Sequence, residues 1–428
     1  MFATHANRIR VAGSVTGLLL LALLFSPALA NAGKKDKKKK DDAAQAQPAQ
    51  PPIDLSKLVW PDPPNQIRLR YLSYFAGQKF ETVEETKAKK QSWMDRVAGM
   101  EAEKDPRMKK RIMPFQLLGP HGMAVDSKGR LYVADQRVGA VFIFNTETRE
   151  TELIRNGFEA HFKLVNGVAV DDDDRLFVSD GSTHRIMVFN PKHEVVDQIS
   201  EGLADPVGLA LDTENRRLYV ADTQQDQILV YDADTFKLLR RIGTAGKNHE
   251  LTTPGDFSGP TGVAVDGDGN VYVTDTMNYR VEIFDADGKF ISQFGRHCDG
   301  PGCFAHPKGI AVDGDGHIWV ADGMLDLLQA FNKDGQLLLF LGGHGHFPGQ
   351  FMALTNVYVD KQNRVFTSEQ YPGRVQMFRY VSDAEAEQAT KEKEEQRGNE
   401  RAAKEQAKQA AATATGALKP EAKPEVKQ

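Results

Sequence analysis

Through the centre of the chain, apolar and polar residues alternate with a period of two in runs of about five. Each run is bounded by Gly, Asp or Asn, which is the pattern of half-buried β-strands. The runs themselves recur. Six copies of one segment appear: Gly122-Met-Ala-Val-Asp126, Gly167-Val-Ala-Val-Asp171, Gly208-Leu-Ala-Leu-Asp212, Gly262-Val-Ala-Val-Asp266, Gly309-Ile-Ala-Val-Asp313 and the degenerate Asn356-Val-Tyr-Val-Asp360. After each comes a polar turn and a second strand ending in an acid, at Asp135, Asp180, Asp222, Asp275, Asp322 and Glu369. A third strand such as Arg280–Phe284 and a fourth such as Phe290–Phe294 complete the unit. Four short antiparallel strands repeating at this spacing predict the blades of an all-β, six-bladed β-propeller.

The sixth copy runs from Arg374 to Tyr380 straight into a polar tail, so its blade lacks a fourth strand and would expose a sheet edge. The alternating segment Ile67 to Gly77, ahead of blade one, is predicted to fill that gap and close the ring. The expected organisation is a signal peptide over 1–32, a linker over 33–55, and the lead-in and closing strand over 56–80. A short helical insertion over 81–112 follows, then the propeller over 113–381 and a charged tail over 382–428. The stretch from Glu81 to Lys110 carries no strand signal, and Trp93, Met94, Val97 and Met100 share one helical stripe, with Ser92 and Asp95 as a cap. In the tail, Ser382 and Glu385 form a capping box for a solvated helix.

These residues resemble the NHL-repeat family. Its pattern of P-x-G-h-A-V-D, then h-Y-V-A-D, then a short loop with Arg, then h-F-D is matched best by Pro260 to Gly295. The resemblance spans about Met113 to Tyr380, and the lead-in Trp60-Pro61-Asp62-Pro63-Pro64 looks like that of secreted bacterial members. It implies the fold and leaves activity open. Around Val178 to Phe189 the chain also resembles, distantly, the amidating-lyase propellers, whose inner strands hold zinc with several histidines.

Composition places this fold in a compartment. His5, Arg8 and Arg10 precede an apolar run from about Val11 to Phe25 and the small-residue string Ala28 to Ala32, the grammar of a secretory signal. Periplasmic or secreted localisation is expected, with no stable membrane insertion after cleavage; an uncleaved N-terminal anchor is the alternative. Net charge is slightly negative, and no basic face with interleaved aromatics argues for nucleic acid. The two cysteines, Cys298 and Cys303, bracket Asp299-Gly-Pro-Gly302 and are expected to form a loop disulfide. Zinc shared with His297 and His306 is the rival reading.

Candidate chemistry collects on one face. Loops joining fourth to first strands and loops joining second to third strands share it. The long loops 243–260, 295–307 and 342–355 bring His249, His297, His306, His344 and His346 there, with His184 beside them. The residue before each repeat glycine opens an innermost strand toward the central channel: His121, Asn166, Val207, Thr261, Lys308 and Thr355. One histidine among the six does not make the three-ligand open site of a catalytic zinc. A metal site built from His121, His297 and His306 remains the alternative. Turns such as Asp266-Gly-Asp268-Gly-Asn270 suggest calcium, but the sixth and twelfth positions of an EF-hand loop fall on Val271 and Met277. Hairpin chemistry explains them.

The expected ligand face comprises His121, Asn166, His184, Thr261, Lys308, Thr355, His344 and His346, with no resident cofactor, zinc or calcium being the alternatives. Binding of a protein or small ligand is expected rather than catalysis. The competing reading is a metal-dependent lyase or hydrolase working in the channel.

Overall fold

A computed structural model describes residues 54–62, 65–83, 110–155, 160–244 and 253–416. The expected signal peptide, nearly all of the 33–55 linker, the helical stripe at Trp93 to Met100, His249 and the last twelve residues lie outside them.

Six sheets surround an axis. Blade one holds Pro120–Val125, Arg130–Asp135, Ala140–Asn145 and Thr151–Ile154; blade two holds Val165–Val170, Leu176–Asp180, Arg185–Phe189 and Val195–Ile199. Blade three runs Pro206–Asp212, Arg217–Asp222, Gln227–Asp232 and Leu238–Ile242; blade four runs Pro260–Val265, Val271–Asp275, Arg280–Phe284 and Phe290–Phe294. In blade five the strands are Pro307–Val312, Ile318–Asp322, Leu327–Phe331 and Leu337–Gly342. Blade six takes Leu354–Val359, Arg364–Glu369 and Arg374–Tyr380 from the end of the propeller and Leu69–Phe75 from its beginning.

That last pairing is the predicted closure. Tyr71 lies opposite Phe378 and Phe75 opposite Val375 in an antiparallel ladder, with one irregularity between Tyr71 and Ser73. Alternation makes it possible: Leu69, Tyr71, Ser73 and Phe75 are buried while Arg70, Leu72 and Tyr74 face out. A fifth short strand, Val59–Trp60, covers the new edge, and the Trp60 ring meets Phe378 edge-on at 5.8 Å.

The period of two also builds the core. In Leu131-Tyr132-Val133-Ala134, Leu131 and Val133 pack toward blade six, whereas Tyr132 and Ala134 pack toward blade two. Repeating this in every blade divides the apolar interior into six wedges, one at each blade junction.

One expectation fails at its ends. Gly77–Val83 and Lys110–Gln116 pair as a two-stranded hairpin, so strand runs into both margins of the segment read as strandless and helical. The pattern is weak there because Gln78, Lys79, Glu81 and Lys110 interrupt the apolar alternation. Past the propeller, Asp383–Gly416 is helical. Its start is the capping box expected: the Glu385 N–H donates to Ser382 Oγ at 3.3 Å and the Ser382 N–H to Glu385 Oε2 at 3.2 Å.

Phe75, 4% exposed, and Leu72, 41% exposed, test the closure on one strand. Phe75→Ala is expected to cost about 3–5 kcal/mol in urea unfolding and Leu72→Ala less than about 0.5 kcal/mol. Equal costs would contradict this register.

Candidate functional site: the channel mouth and its loop face

Six inner strands converge on the axis, and the repeat glycines of five of them let them approach. A Cβ on Gly167 would sit 2.3 Å from the Val207 carbonyl oxygen, and one on Gly262 2.4 Å from that of Lys308. No larger residue fits such contacts. The strands enclose a channel cavity of about 260 Å³.

Of the residues before the glycines, His121, Val207, Thr261, Lys308 and Thr355 line this cavity and Asn166 does not. Three of the predicted ligand groups prove to join blades. The Thr355 hydroxyl lies 3.0 Å from the Pro120 carbonyl of blade one and 2.8 Å from Ser368 Oγ. Thr261 Oγ1 reaches the Lys308 carbonyl of blade five at 3.1 Å, and Asn166 Nδ2 donates to the Pro206 carbonyl of blade three at 3.2 Å. Second strands contribute as well. Ser179, Thr274 and Ser368 donate to the Val207, Lys308 and His121 carbonyls of the next blade at 2.9, 2.7 and 2.7 Å. Blades one, three and five carry Ala134, Ala221 and Ala321 at that place.

Also at the mouth are His121, whose imidazole is bonded to the Asn166 backbone of blade two, and Lys308. Burial, reinforced by the Lys308 charge, holds the His121 imidazole down at about 4, so it is neutral at pH 7. Burial likewise lowers Lys308, opposed by the charge of Asp322. The Asp322 carboxylate accepts backbone N–H groups of Ala305, His306, Met324 and Leu325, so it braces the blade. Asp135, Asp180 and Asp222 do the same for theirs. Because one carboxylate holds both a fourth-to-first and a second-to-third loop, those loops share a face as expected. Among the described residues no side chain forms an ion pair or hydrogen bond with the Lys308 amino group.

The other histidines sit on that face without converging. His344 Nδ1 bonds Asp326 at 2.8 Å, the exposed His346 lends its backbone carbonyl to Arg374 Nη1, and His184 Nδ1 bonds the Ala204 carbonyl. His297 packs on Tyr279 with centroids 4.5 Å apart; His306 is half-buried, its pKa lowered by burial and then by Lys308. The alternative metal set of His121, His297 and His306 is not assembled: no three His, Cys, Asp or Glu side chains among the described residues gather as metal ligands would. The Asp266 carboxylate accepts the Asp268 and Asn270 N–H groups and the Tyr272 hydroxyl, the work of a hairpin turn. Cys298 and Cys303 are disulfide-bonded, with Cα atoms 5.7 Å apart.

Sequence reasoning missed how the long loops are held. Pro254-Gly-Asp-Phe257, Pro301-Gly-Cys-Phe304 and Pro348-Gly-Gln-Phe351 repeat one motif. In each, the Phe is fully buried and the Gly N–H donates to a third-strand side chain, Glu282 at 2.9 Å, Gln329 at 2.7 Å or Gln376 at 2.9 Å. Gly302, at φ +86°, requires the left-handed region that glycine tolerates. Arg374 completes the grip, its guanidinium donating to the His346, Phe347 and Gln350 carbonyls. The signal was legible as a P-G-x-F repeat together with a polar residue interrupting an apolar third strand.

The anchored loop at Phe347 and the neighbouring loops of this face present apolar side chains outward. Leu118 and Tyr371, Phe347, Met324 and Met277 follow one another over blades one, six, five and four; Met324 is 71% and Phe347 61% exposed. Arg137 of blade one stands 5.0 Å over the Tyr371 ring and donates to its hydroxyl at 2.9 Å, bridging the arc.

Family models agree with the repeats. NHL-repeat models match residues 117–144 and 162–189, and the SMP-30/gluconolactonase/LRE-like region matches 190–308. Human NHL repeat-containing protein 2 is 31% identical over 98 residues, which is 22% of this chain and 14% of that protein. The brain tumor protein of Drosophila melanogaster is 49% identical over 41 residues, 10% of this chain and 4% of that protein. The chain thus covers about a seventh or less of these relatives. Among solved structures, virginiamycin B lyase from Staphylococcus aureus aligns with TM-score 0.46 and 12% identity over 62% of this chain and 96% of that one. A gluconolactonase from Xanthomonas campestris aligns with TM-score 0.47 and 20% identity over 62% and 89%.

Burial pushes Glu282 up from 4.5 to about 7, against the pull of Arg280 at 3.0 Å. A carboxyl whose folded pKa is raised loses stability as pH climbs from its unfolded to its folded value. Relative to Glu282→Gln, the native protein is therefore expected to lose about 3 kcal/mol between pH 4.5 and 7 and nothing further above 8. Urea unfolding of both proteins across that range checks it; a constant difference would refute the assignment.

Proposed function

We propose that this six-bladed propeller of NHL repeats is an exported binding or scaffold module, docking a macromolecular partner on its loop face. The arc from Leu118 through Tyr371, Phe347 and Met324 to Met277 carries the reading. Aromatic residues, Met and Arg are enriched where proteins meet, and several of them exposed on one face suit such a meeting. The Pro348–Phe351 anchor supports it too, since it fixes the loop that carries Phe347.

Export rests on the N-terminal pattern of residues 1–32, and the Cys298–Cys303 bridge suits an oxidising space such as a periplasm. The helix Asp383–Gly416, exposed along most of its length, leaves blade six at the hairpin end opposite the docking face and acts as a tether, which makes the module an adaptor for an envelope complex. The lyase or hydrolase reading has fewer residues behind it. The channel lining holds one imidazole, His121, and no carboxylate.

A photo-crosslinking residue placed at Met324 or Phe347 should trap a discrete partner in the host envelope, and one placed at the outer-strand Val196 should not. Adding Met277→Glu should abolish the adduct while leaving the melting temperature within a few degrees. Crosslinks of equal yield from Val196 would overturn the assignment of the face. Metal analysis checks the rival reading, and the binding reading falls if a stoichiometric metal is present and is lost in His121→Ala.

A further inference from the structure

The channel carries one unneutralised cation at its loop-face mouth and an apolar wall deeper in, toward the other end of the inner strands. Val170, Leu209, Leu211, Val265, Val312 and Val359 line the wall and are partly accessible from the cavity. None of the lining residues is Asp or Glu. Lys361, also in the lining, pairs with Asp172 at 3.3 Å. Lys308 has no such partner among the described residues, because the nearest acid, Asp322, turns its carboxylate to four backbone N–H groups.

Its side chain is placed rather than stray. The aliphatic stem crosses the bare Cα of Gly323, where a Cβ would lie 3.2 Å from Lys308 Cε and 2.7 Å from the Leu354 carbonyl oxygen. Such packing fixes the ammonium where the axis opens onto the loop face. Keeping a lone cation in a largely apolar enclosure is costly unless something anionic joins it.

We infer that the channel mouth binds a small organic monocarboxylate, its carboxylate on the Lys308 ammonium and its apolar body along the inner-strand wall. The proposal rests on the binding-module reading and names a ligand class for it. Size follows from the cavity. An engineered protein cavity of about 150 Å³ holds benzene, so 260 Å³ suits an acid of roughly six to ten non-hydrogen atoms. His121, bonded to the Asn166 backbone and uncharged, leaves Lys308 as the charge that selects the anion. A carboxylate gains a charge-assisted hydrogen bond there, whereas a neutral amide of equal shape gains only burial.

Calorimetric titration of the full chain at pH 7 tests this with benzoate and hexanoate against benzamide, hexanamide, benzylamine and inorganic phosphate. Expected are saturable binding of both carboxylates, at least tenfold weaker binding of the amides, and none of the amine. Lys308→Met keeps the stem over Gly323 and should lose at least tenfold in carboxylate affinity, with Lys308→Arg retaining most of it. Equal binding of acids and amides, tighter binding of phosphate, undiminished binding by Lys308→Met, or no binding at all would overturn the proposal. The comparison of acid with amide uses the native chain alone, so it holds even where a variant folds poorly. Crosslinks from Met324 separate the two readings: their appearance in a native chain that binds neither carboxylate sinks the channel ligand and leaves the docking face standing.

Discussion

Everything about this molecule depends on one antiparallel ladder, in which Leu69–Phe75 pairs with Arg374–Tyr380. A propeller without closure ends in an open sheet edge with unpaired N–H and C=O groups. Here the two ends of the ring come from residues three hundred positions apart in sequence, so the contact with the greatest loop-closure entropy seals the fold. Once sealed, the ring fixes the six inner strands around one axis. The channel exists because of that geometry.

Closure also explains why so many polar groups near the axis serve the scaffold. Inner strands pack backbone against backbone across glycines, leaving carbonyls between blades that need donors. Thr355, Asn166, Thr261, Ser179, Thr274 and Ser368 supply them. A position that faces the axis is thus more often a fastener than a ligand group. Lys308 stands out because the described structure gives it nothing to fasten.

Repeat number, blade order and the closing strand were legible in the sequence because all three follow from a period of two and a repeated turn chemistry. The capping box at Ser382 and the bracing acids such as Asp135 were legible for the same reason: their partners are local. The roles of Asn166, Thr261 and Thr355 were not, since their partners belong to neighbouring blades and blade contacts leave no mark on one strand's pattern. The Gly77–Val83 hairpin escaped because polar residues break its alternation. The exposed arc of Met324, Phe347 and Tyr371 escaped for another reason: an apolar residue in a loop reads like an apolar residue in a core until the neighbouring Phe304 or Phe351 is seen to take the interior place.

The register of the closing ladder has a mechanical corollary. Leu69 lies opposite Tyr380, so the entering and leaving segments meet at the same corner of blade six, where the Val381 N–H still bonds the Arg68 carbonyl. Tension between the two ends would load the ladder like a zipper, one rung at a time, after first lifting the short Val59–Trp60 cover. A ring resisting heat as a single cooperative body would thereby yield to a modest pull along its tethers, opening at the seam and leaving five blades intact.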